Sequence, residues 1–318
     1  MIATYAKTGA RIAKADNAVE ALFGDCAVWI DLFDPTAEEE ELVESYLKID
    51  VPLAHERAAF EDSARFYEEN GALYVTVTLL GRREDGAFQE DAVTFVLVNT
   101  RLVTVRKIRP RAFELGEGRA SARIAEAADG NGVFVALLDG CIERLADVLQ
   151  EATTEAHAIA RSVFDDTRSE PNLKDTLRKL GRSGTIASLA HDSLASLERA
   201  TAYIASVCPA HGLDAARMHA LRRDIEQLER NAEALQTQLS FVQEATLGLV
   251  SAAQNNSLKA LSVATIAFVP PTLIASIFGM NFEAMTWFQK GWGPLVGFAL
   301  MIAAPVALFT LAKWRRWF

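Results

Sequence analysis

No charged side chain occurs between residues 260 and 282, nor between 291 and 312. Each run is close to the roughly 20 residues a helix needs to cross a hydrocarbon core. Backbone in hydrocarbon must satisfy its own polar groups, so runs of this kind are helical. The chain is therefore expected to be a membrane protein with two C-terminal spans. Lys259 precedes the first run, and the tail after the second is Lys313-Trp314-Arg315-Arg316-Trp317-Phe318, whereas the loop between them carries only Glu283 and Lys290. Positive charge concentrates on the cytoplasmic side, which places both flanks inside and the loop outside. Trp287, Trp292, Trp314 and Trp317 stand near the span ends, where aromatic rings favour the interface.

The remainder differs sharply in character. Of 318 residues, the first 250 or so are mixed and charged, and the net charge is −10. That balance argues against a nucleic-acid partner, which needs clustered Lys and Arg, and favours attraction of cations. Cys26, Cys141 and Cys208 lie far apart, which suggests no disulfide framework and fits a reducing compartment. The N-terminal residues lack the apolar stretch of a signal peptide. The expected location is the inner (plasma) membrane, multi-pass, with N- and C-termini in the cytoplasm.

Three regions are expected: 1–130 as a cytoplasmic α/β domain, 131–257 as long helices and a stalk, and 258–318 as the two-span hairpin with its basic tail. Residues 28–32 read as a strand, with a helix starting at Asp34-Pro35-Thr36, Asp34 being its N-cap and Pro35 its first residue. Residues 73–80 and 92–98 alternate and are β-branched, and Asn99-Thr100-Arg101 turns the second into a strand at 102–106. From about Gly132 the period becomes helical: 133–167, then 173–207, broken by Pro209 and Gly212. A third helix begins near Leu213 and meets no proline before Pro270-Pro271. Leu221, Ile225, Leu228, Leu235 and Leu239 recur along it at helical spacing, as in a coiled-coil-like stalk that runs on into the first span.

Within that span the polar residues share a face. Ser262, Thr265, Thr272 and Ser276, joined through Val269, follow steps of three and four, and the same steps lead back to Leu258 and Asn255. Such a face meets other protein or water. Helix packing is one reading, because small and hydroxylated residues let helices approach. A pore is the other. Pro270 and Pro271 deprive the carbonyls of Ile266 and Ala267 of their usual donors, which at membrane depth is tolerated against protein or a wet cavity. The run ends in Gly279-Met280-Asn281, where glycine permits close approach or an unusual turn and the Asn281 amide offers a neutral oxygen to a hard cation or its water shell. Two spans cannot enclose a pore, so an ion path requires an oligomer.

Here the chain strongly resembles the CorA family of magnesium transport proteins. The resemblance rests on the run from Pro270-Pro271-Thr272 through Phe278-Gly279-Met280-Asn281-Phe282-Glu283, on Trp29-Ile30-Asp31-Leu32, and on Glu61-Asp62-Ser63-Ala64-Arg65-Phe66. It implies a homopentamer with a funnel-shaped cytoplasmic α/β domain, a long stalk helix and a central pore. By position, Gly279, Met280 and Asn281 would form the outer selectivity ring, with Asn281 the metal-facing residue. Asn255 would ring the cytoplasmic mouth, Leu261 and Val269 would form apolar constrictions, and Thr272 and Ser276 would line the path between. Mg²⁺ would be both transported and regulatory, with no organic cofactor.

This chain departs from the family pattern at three places. Phe278 replaces a common tyrosine, Met285-Thr286-Trp287-Phe288 replaces a Met-Pro-Glu-Leu loop while Glu283 is kept, and Val269 replaces a methionine. The expected function is membrane-potential-driven uptake of Mg²⁺, also of Co²⁺ and with Ni²⁺ as a further ion, gated by cytoplasmic Mg²⁺. No nucleotide-binding loop or nucleophile–base arrangement stands out, so an enzyme is not expected. The alternatives are a zinc transporter of the same superfamily, which typically differs at Met280, and a non-conducting coiled-coil scaffold. Cys208, His211 and His219 loosely evoke zinc but read as incidental. His55, His157 and His191 have no ligand-like neighbours; the acids at 38–41, 68–69 and 165–166 read mainly as solvated faces, with regulatory cation sites as the minority reading, and Asp224, Glu226, Glu229 and Glu233 on the stalk are open between the two.

Overall fold

The computed structural model of the chain describes residues 1–9, 11–52, 65–82, 87–113, 119–164, 173–280 and 292–315. It divides into two compact units, Met1–Gln243 and Glu244–Phe318. In the first, strands β1 (Ile2–Thr8), β2 (Arg11–Lys14), β3 (Ala27–Phe33), β4 (Phe66–Glu69), β5 (Ala72–Arg82), β6 (Phe88–Val98) and β7 (Arg101–Arg106) form one sheet. Its order is β2-β1-β3-β7-β6-β5-β4. The β3–β7 pairing is parallel and the other described pairings are antiparallel.

Alternation along the strands sends apolar side chains to both faces, and both are covered. On one face Ile30, Leu32, Tyr74, Val96, Val103 and Val105 pack with Leu22 of α1 (Ala18–Leu22) and Val43 of α2 (Ala37–Leu47). On the other, Trp29, Leu73, Val75, Val77, Phe95 and Leu97 meet α3 (Arg119–Glu126), α4 (Gly130–Phe164), α5 (Leu173–His211) and the start of α6 (Ala215–Gly279). The helix α4 starts almost on the sheet: a Cβ on Gly130 would lie 2.5 Å from the Arg101 carbonyl carbon, so only glycine fits.

The strands expected at 28–32, 73–80, 92–98 and 102–106 are present, each somewhat longer. Two local expectations need correction. Asp34 does not cap α2, because its backbone is left-handed at φ 42°. Thr36 is the N-cap instead, in a reciprocal capping box with Glu39, and Ala37 is the first helical residue. Glu39 also binds the N-terminal ammonium at 2.7 Å, so one of the acids at 38–41 serves local structure. Nor does Pro209 break α5: it sits in the last turn, and the helix ends at His211 before Gly212. Strand β1 and its hairpin partner β2 were not legible beforehand, because Ile2–Thr8 alternates only weakly.

A buried polar chain joins the parallel strands. The Trp29 indole donates to Thr104 Oγ1 at 3.0 Å, Thr104 donates to Asp31 at 2.8 Å, and Arg106 grips Asp31 at 2.9 and 2.7 Å. Arg106 also donates to the Ile108 carbonyl and lies over the Phe33 and Phe113 rings. Tyr5 stacks on Trp29 at 4.2 Å, and its hydroxyl pKa is raised by burial and then by Asp31. Every member has a partner, which is the condition for a buried ion pair to be tolerated. This gives the Trp29-Ile30-Asp31-Leu32 motif its structural meaning.

On the helical side, Asp139 of α4 is held by both Arg123 of α3 and Arg217 of α6. Thr78 of β5 donates its amide to Ser196 of α5 at 2.8 Å. The stripe expected on the third helix is buried at Leu221, Ile225, Leu235 and Leu239, within the same core as α4 and α5. That helix is α6, and its 65 residues continue without a break from Ala215 to Gly279.

Removing one partner of the buried pair should be costly. Asp31→Ala is expected to lower stability by about 3–5 kcal/mol, read as a reduced unfolding midpoint, with part recovered in Asp31→Ala/Arg106→Met. A second test is pH-linked. Burial, and then Glu198, raise the Glu229 carboxyl above 4.5. The folded chain therefore binds this proton more tightly than the unfolded chain, so the ionised group destabilises the fold above its folded pKa, and the penalty disappears as pH falls through it. Glu229→Gln should raise the thermal midpoint at neutral pH, with the gain vanishing on acidification.

Candidate functional site

The second unit holds the charge-free segments. The apolar end of α6 and residues Leu295–Trp314 of α7 (Gly293–Trp314) are long and apolar enough to cross a membrane, with mean hydropathies of 1.9 and 2.3. Gly279 is the last helical residue, and Met280 closes the end by donating its amide to the Ile277 carbonyl at 3.3 Å. Asn281 and Glu283 lie outside the described residues, as do His55, the 61–64 part of the quoted motif, the acids at 165–166 and the outer loop.

Asn255, Leu258, Leu261, Ser262, Thr265, Val269, Thr272, Ser276, Gly279 and Met280 are all exposed in the single chain. Exposure does not single out their face, because Val269 is 56% exposed and Phe268, on another side, is 72% exposed. Three hydroxyls of that face bond back into the helix, as Thr153, Thr154, Thr185 and Thr237 do in other helical stretches. Ser262 donates to the Leu258 carbonyl at 2.8 Å, Thr265 to Leu261 at 2.8 Å, and Thr272 to Phe268 at 2.7 Å. Ser257, off this face, makes the same bond to Ala253 at 3.1 Å. Each hydroxyl hydrogen is thus engaged within the helix, and the oxygen lone pairs face outward. A row of oxygens with their protons turned inward accepts from water or contacts a cation, and is poorly suited to an anion.

Pro270 and Pro271 lie inside the same helix. The Thr272 hydroxyl goes to Phe268, so it does not replace the amide donors missing at Ile266 and Ala267. Two carbonyls therefore lack their usual helical donors, one turn before the middle of the charge-free run. Gly279 behaves differently from expectation within one chain. Its φ is not positive, and among the described residues a Cβ there would meet nothing within 4 Å. Among the described residues, neither a positive φ nor a close approach demands glycine at 279.

A contact that sequence reasoning missed lies on another side of α6. Ile266, Pro270, Ile274 and Phe278, spaced by four, are half-buried. The Phe278 ring lies over Gly297 of α7, with ring carbons 3.1 and 3.2 Å from where a Cβ would stand. Phe278, whose lost hydroxyl set it apart from the family pattern, thus packs against the second span. The available signal was Gly297 itself, a small residue among bulky ones.

The first unit shows no competing metal centre: among the described residues, no group of three or more His, Cys, Asp or Glu could hold an ion. Cys208 is fully buried, its thiol pKa raised by burial and then by Asp214, and His211 lies 3.4 Å from Glu68. The thiol of Cys141, also buried, is pushed up to about 12. Glu226 pairs with Arg222 at 3.3 Å on its own helix.

These features define a membrane protein in which a mixed α/β domain is followed by a very long helix and two candidate C-terminal membrane helices. The CorA-like Mg²⁺ transporter protein family matches residues 25–315, and the chain belongs to that family. It is 30% identical, over 100% of both chains, to the magnesium transport protein CorA of Mannheimia succiniciproducens. It is 29% identical, again over 100% of both, to that of Pasteurella multocida. The solved CorA magnesium transporter of Methanocaldococcus jannaschii shares the fold, at a TM-score of 0.67 with 15% identity, covering 98% of this chain and 97% of that one.

The Phe278–Gly297 contact makes its own prediction. Gly297→Val should reduce thermal stability of the protein in nanodiscs by about 1–3 kcal/mol through overpacking. Phe278→Leu in the same chain should recover much of the loss, and purely additive losses would show that the two residues do not interact.

Proposed function

We propose that this chain is the subunit of a homopentameric channel that takes up Mg²⁺, and also Co²⁺ with Ni²⁺ as a further ion, down the membrane potential. The observation that carries the reading is the oxygen-presenting stripe on α6, whose hydroxyl hydrogens are turned into the helix. The names of the relatives and the family membership support Mg²⁺ as the ion.

In this reading residues 1–130 form a cytoplasmic domain, 131–257 the long helices and stalk, and 258–318 the membrane hairpin. The setting is the inner membrane, with both termini in the cytoplasm. Asn255 rings the inner mouth, Leu258 and Ser262 follow, and Leu261 and Val269 narrow the path with apolar side chains. Thr265, Thr272 and Ser276 supply neutral oxygens between the constrictions. Gly279, Met280 and Asn281 form the outer ring, with Glu283 beside it, and Gly279 is then explained by approach between subunits rather than within one.

Magnesium gives up its waters reluctantly, so a ring of amide and carbonyl oxygens can hold the hydrated ion through its shell. Neutral ligands also bind weakly enough to release it, which conduction requires. A divalent ion gains about 4.6 kcal/mol across about 100 mV, from roughly 2.3 per charge, so no nucleotide hydrolysis is needed for uptake. Cytoplasmic Mg²⁺ closes the path by bridging acids of neighbouring subunits, which neutralises charge that otherwise repels.

Flux of Mg²⁺, Co²⁺, Ni²⁺ and Zn²⁺ into proteoliposomes tests this directly. Mg²⁺ flux that follows an imposed potential is expected, with a loss of about tenfold or more in Asn281→Ala. Folded oligomers that pass no divalent ion would remove the transport reading, Zn²⁺ alone would favour the zinc transporter, and flux untouched by Asn281→Ala would remove only the assigned ring.

A further inference from the structure

The two spans meet along one face of each helix. On α6 the half-buried residues of the charge-free run include Ile266, Pro270, Ile274 and Phe278, and on α7 Gly297, Met301, Ala304 and Ala312 are buried or half-buried. Phe278, at the end of α6, touches Gly297, near the start of α7, and the packed faces continue from there, so the helices run antiparallel. Steps of three and four carry the α6 face back through Val263 to Lys259, and the α7 face on from Ala312 to Arg315. At about 1.5 Å per residue, Lys259 lies about 28 Å from the Phe278–Gly297 contact along α6, and Arg315 lies about 27 Å from it along α7. The hairpin thus brings two cations, far apart in sequence, to one level on its facing sides. That level is close to the roughly 30 Å thickness of a hydrocarbon core from the contact at the other end. Neither residue belongs to the proposed ion path.

The surrounding sequence offers no carboxylate side chain to this pair. Beyond Glu244 the only Asp or Glu is Glu283, which lies between the spans, towards their opposite end. Two like charges at one level repel, and an anion between them relieves the repulsion. At the boundary of a bilayer the anion on hand is a phospholipid phosphate, to which arginine offers a fork of donors and lysine a point charge. The neighbouring surface suits the rest of a lipid. Val263 and Leu308 lie on the packed faces yet are 38% and 43% exposed, which leaves an apolar edge beside the pair. Trp314, 79% exposed, adds an indole at the same level, where such rings favour the interface. We propose that this end of the hairpin binds an anionic phospholipid, its phosphate between Lys259 and Arg315 and its acyl chains along Val263 and Leu308. In the proposed orientation this is the cytoplasmic leaflet. The inference rests on the spanning hairpin and not on the ion path. A lipid held there joins the inner ends of the two spans, as basic pockets between membrane helices do with anionic headgroups.

The test uses the full chain in a neutral detergent, titrated with dioctanoyl phosphatidylglycerol or dioctanoyl phosphatidylcholine, with bound lipid counted by native mass spectrometry. Saturable binding of phosphatidylglycerol is expected, about tenfold tighter than that of phosphatidylcholine and weakened by added salt. Lys259→Gln and Arg315→Gln should each weaken it about fivefold or more, and Lys259→Arg, which keeps the charge, should retain it. Lys313→Gln should change it less than about twofold, because Lys313 lies about 200° around α7 from Arg315. Equal binding of the two lipids by the unaltered protein overturns the proposal, as does binding untouched in both Lys259→Gln and Arg315→Gln. Equal losses in all three glutamine variants would show diffuse attraction to a basic end and also overturn it. Displacement of the lipid by inorganic phosphate at matched concentration would assign the pair to a soluble anion and overturn the lipid assignment. Mg²⁺ flux is read separately in proteoliposomes, so failure of this site leaves the transport reading untouched, and the reverse also holds.

Discussion

Backbone polar groups in a hydrocarbon medium have no water to bond with, and the second unit is organised by that requirement. Residues 260–279 meet it by continuing α6, and the side chains on one face then add a second layer of bonding. Ser262, Thr265 and Thr272 return their protons to carbonyls one turn back, so they join the backbone's own hydrogen-bond system while leaving oxygen outward. The two prolines, in the middle of the run, act in the opposite sense, withholding donors from Ile266 and Ala267. A lipid-facing helix also gains from the returned protons, but it gains nothing from withheld donors. Both are consistent with one face of α6 meeting a polar path in the proposed assembly.

The same helix serves the first unit by a different rule. Between Met218 and Val242 its apolar stripe is buried with α4 and α5, and Arg217 is tied to Asp139. One continuous element therefore takes part in a water-soluble core along its first part and carries the charge-free run along its last. In the soluble part the hydrophobic effect selects which residues point inward. In the membrane part that driving force is absent between helices, and packing of small residues such as Gly297 against rings such as Phe278 takes its place. The two halves of α6 thus follow different patterns although the backbone is uniform.

One set of buried polar groups inside the first unit is complete. The Trp29–Thr104–Asp31–Arg106 chain crosses the parallel strand pair, and its charges are matched and capped by aromatic rings. A satisfied network of this kind explains a motif by structure alone. The arginines at 109, 111 and 144 come from two stretches of sequence and line one cavity.

Much of this protein follows from local rules that a sequence exposes: the uncharged runs, the alternating strands at 73–80 and 92–98, and the three- and four-residue steps of the stripe. These depend on period and solvent preference, which neighbouring residues settle among themselves. Where the competing signals were close, local reading failed. Asp34 and Thr36 are both good caps, and only the capping box with Glu39 chose between them, while Pro209 was absorbed into the last turn of α5. Tertiary structure alone decided which residues distant in sequence share a place: Asp31 with Arg106, Asp139 with Arg123 and Arg217, Phe278 with Gly297, and Arg109 and Arg111 with Arg144. Such pairings arise from how sheets and helices stack, and no periodicity within one element encodes them. The sequence by itself thus determined the membrane hairpin and its polar face, and the fold determined how that face holds its protons and where the positive charge of an acidic chain gathers.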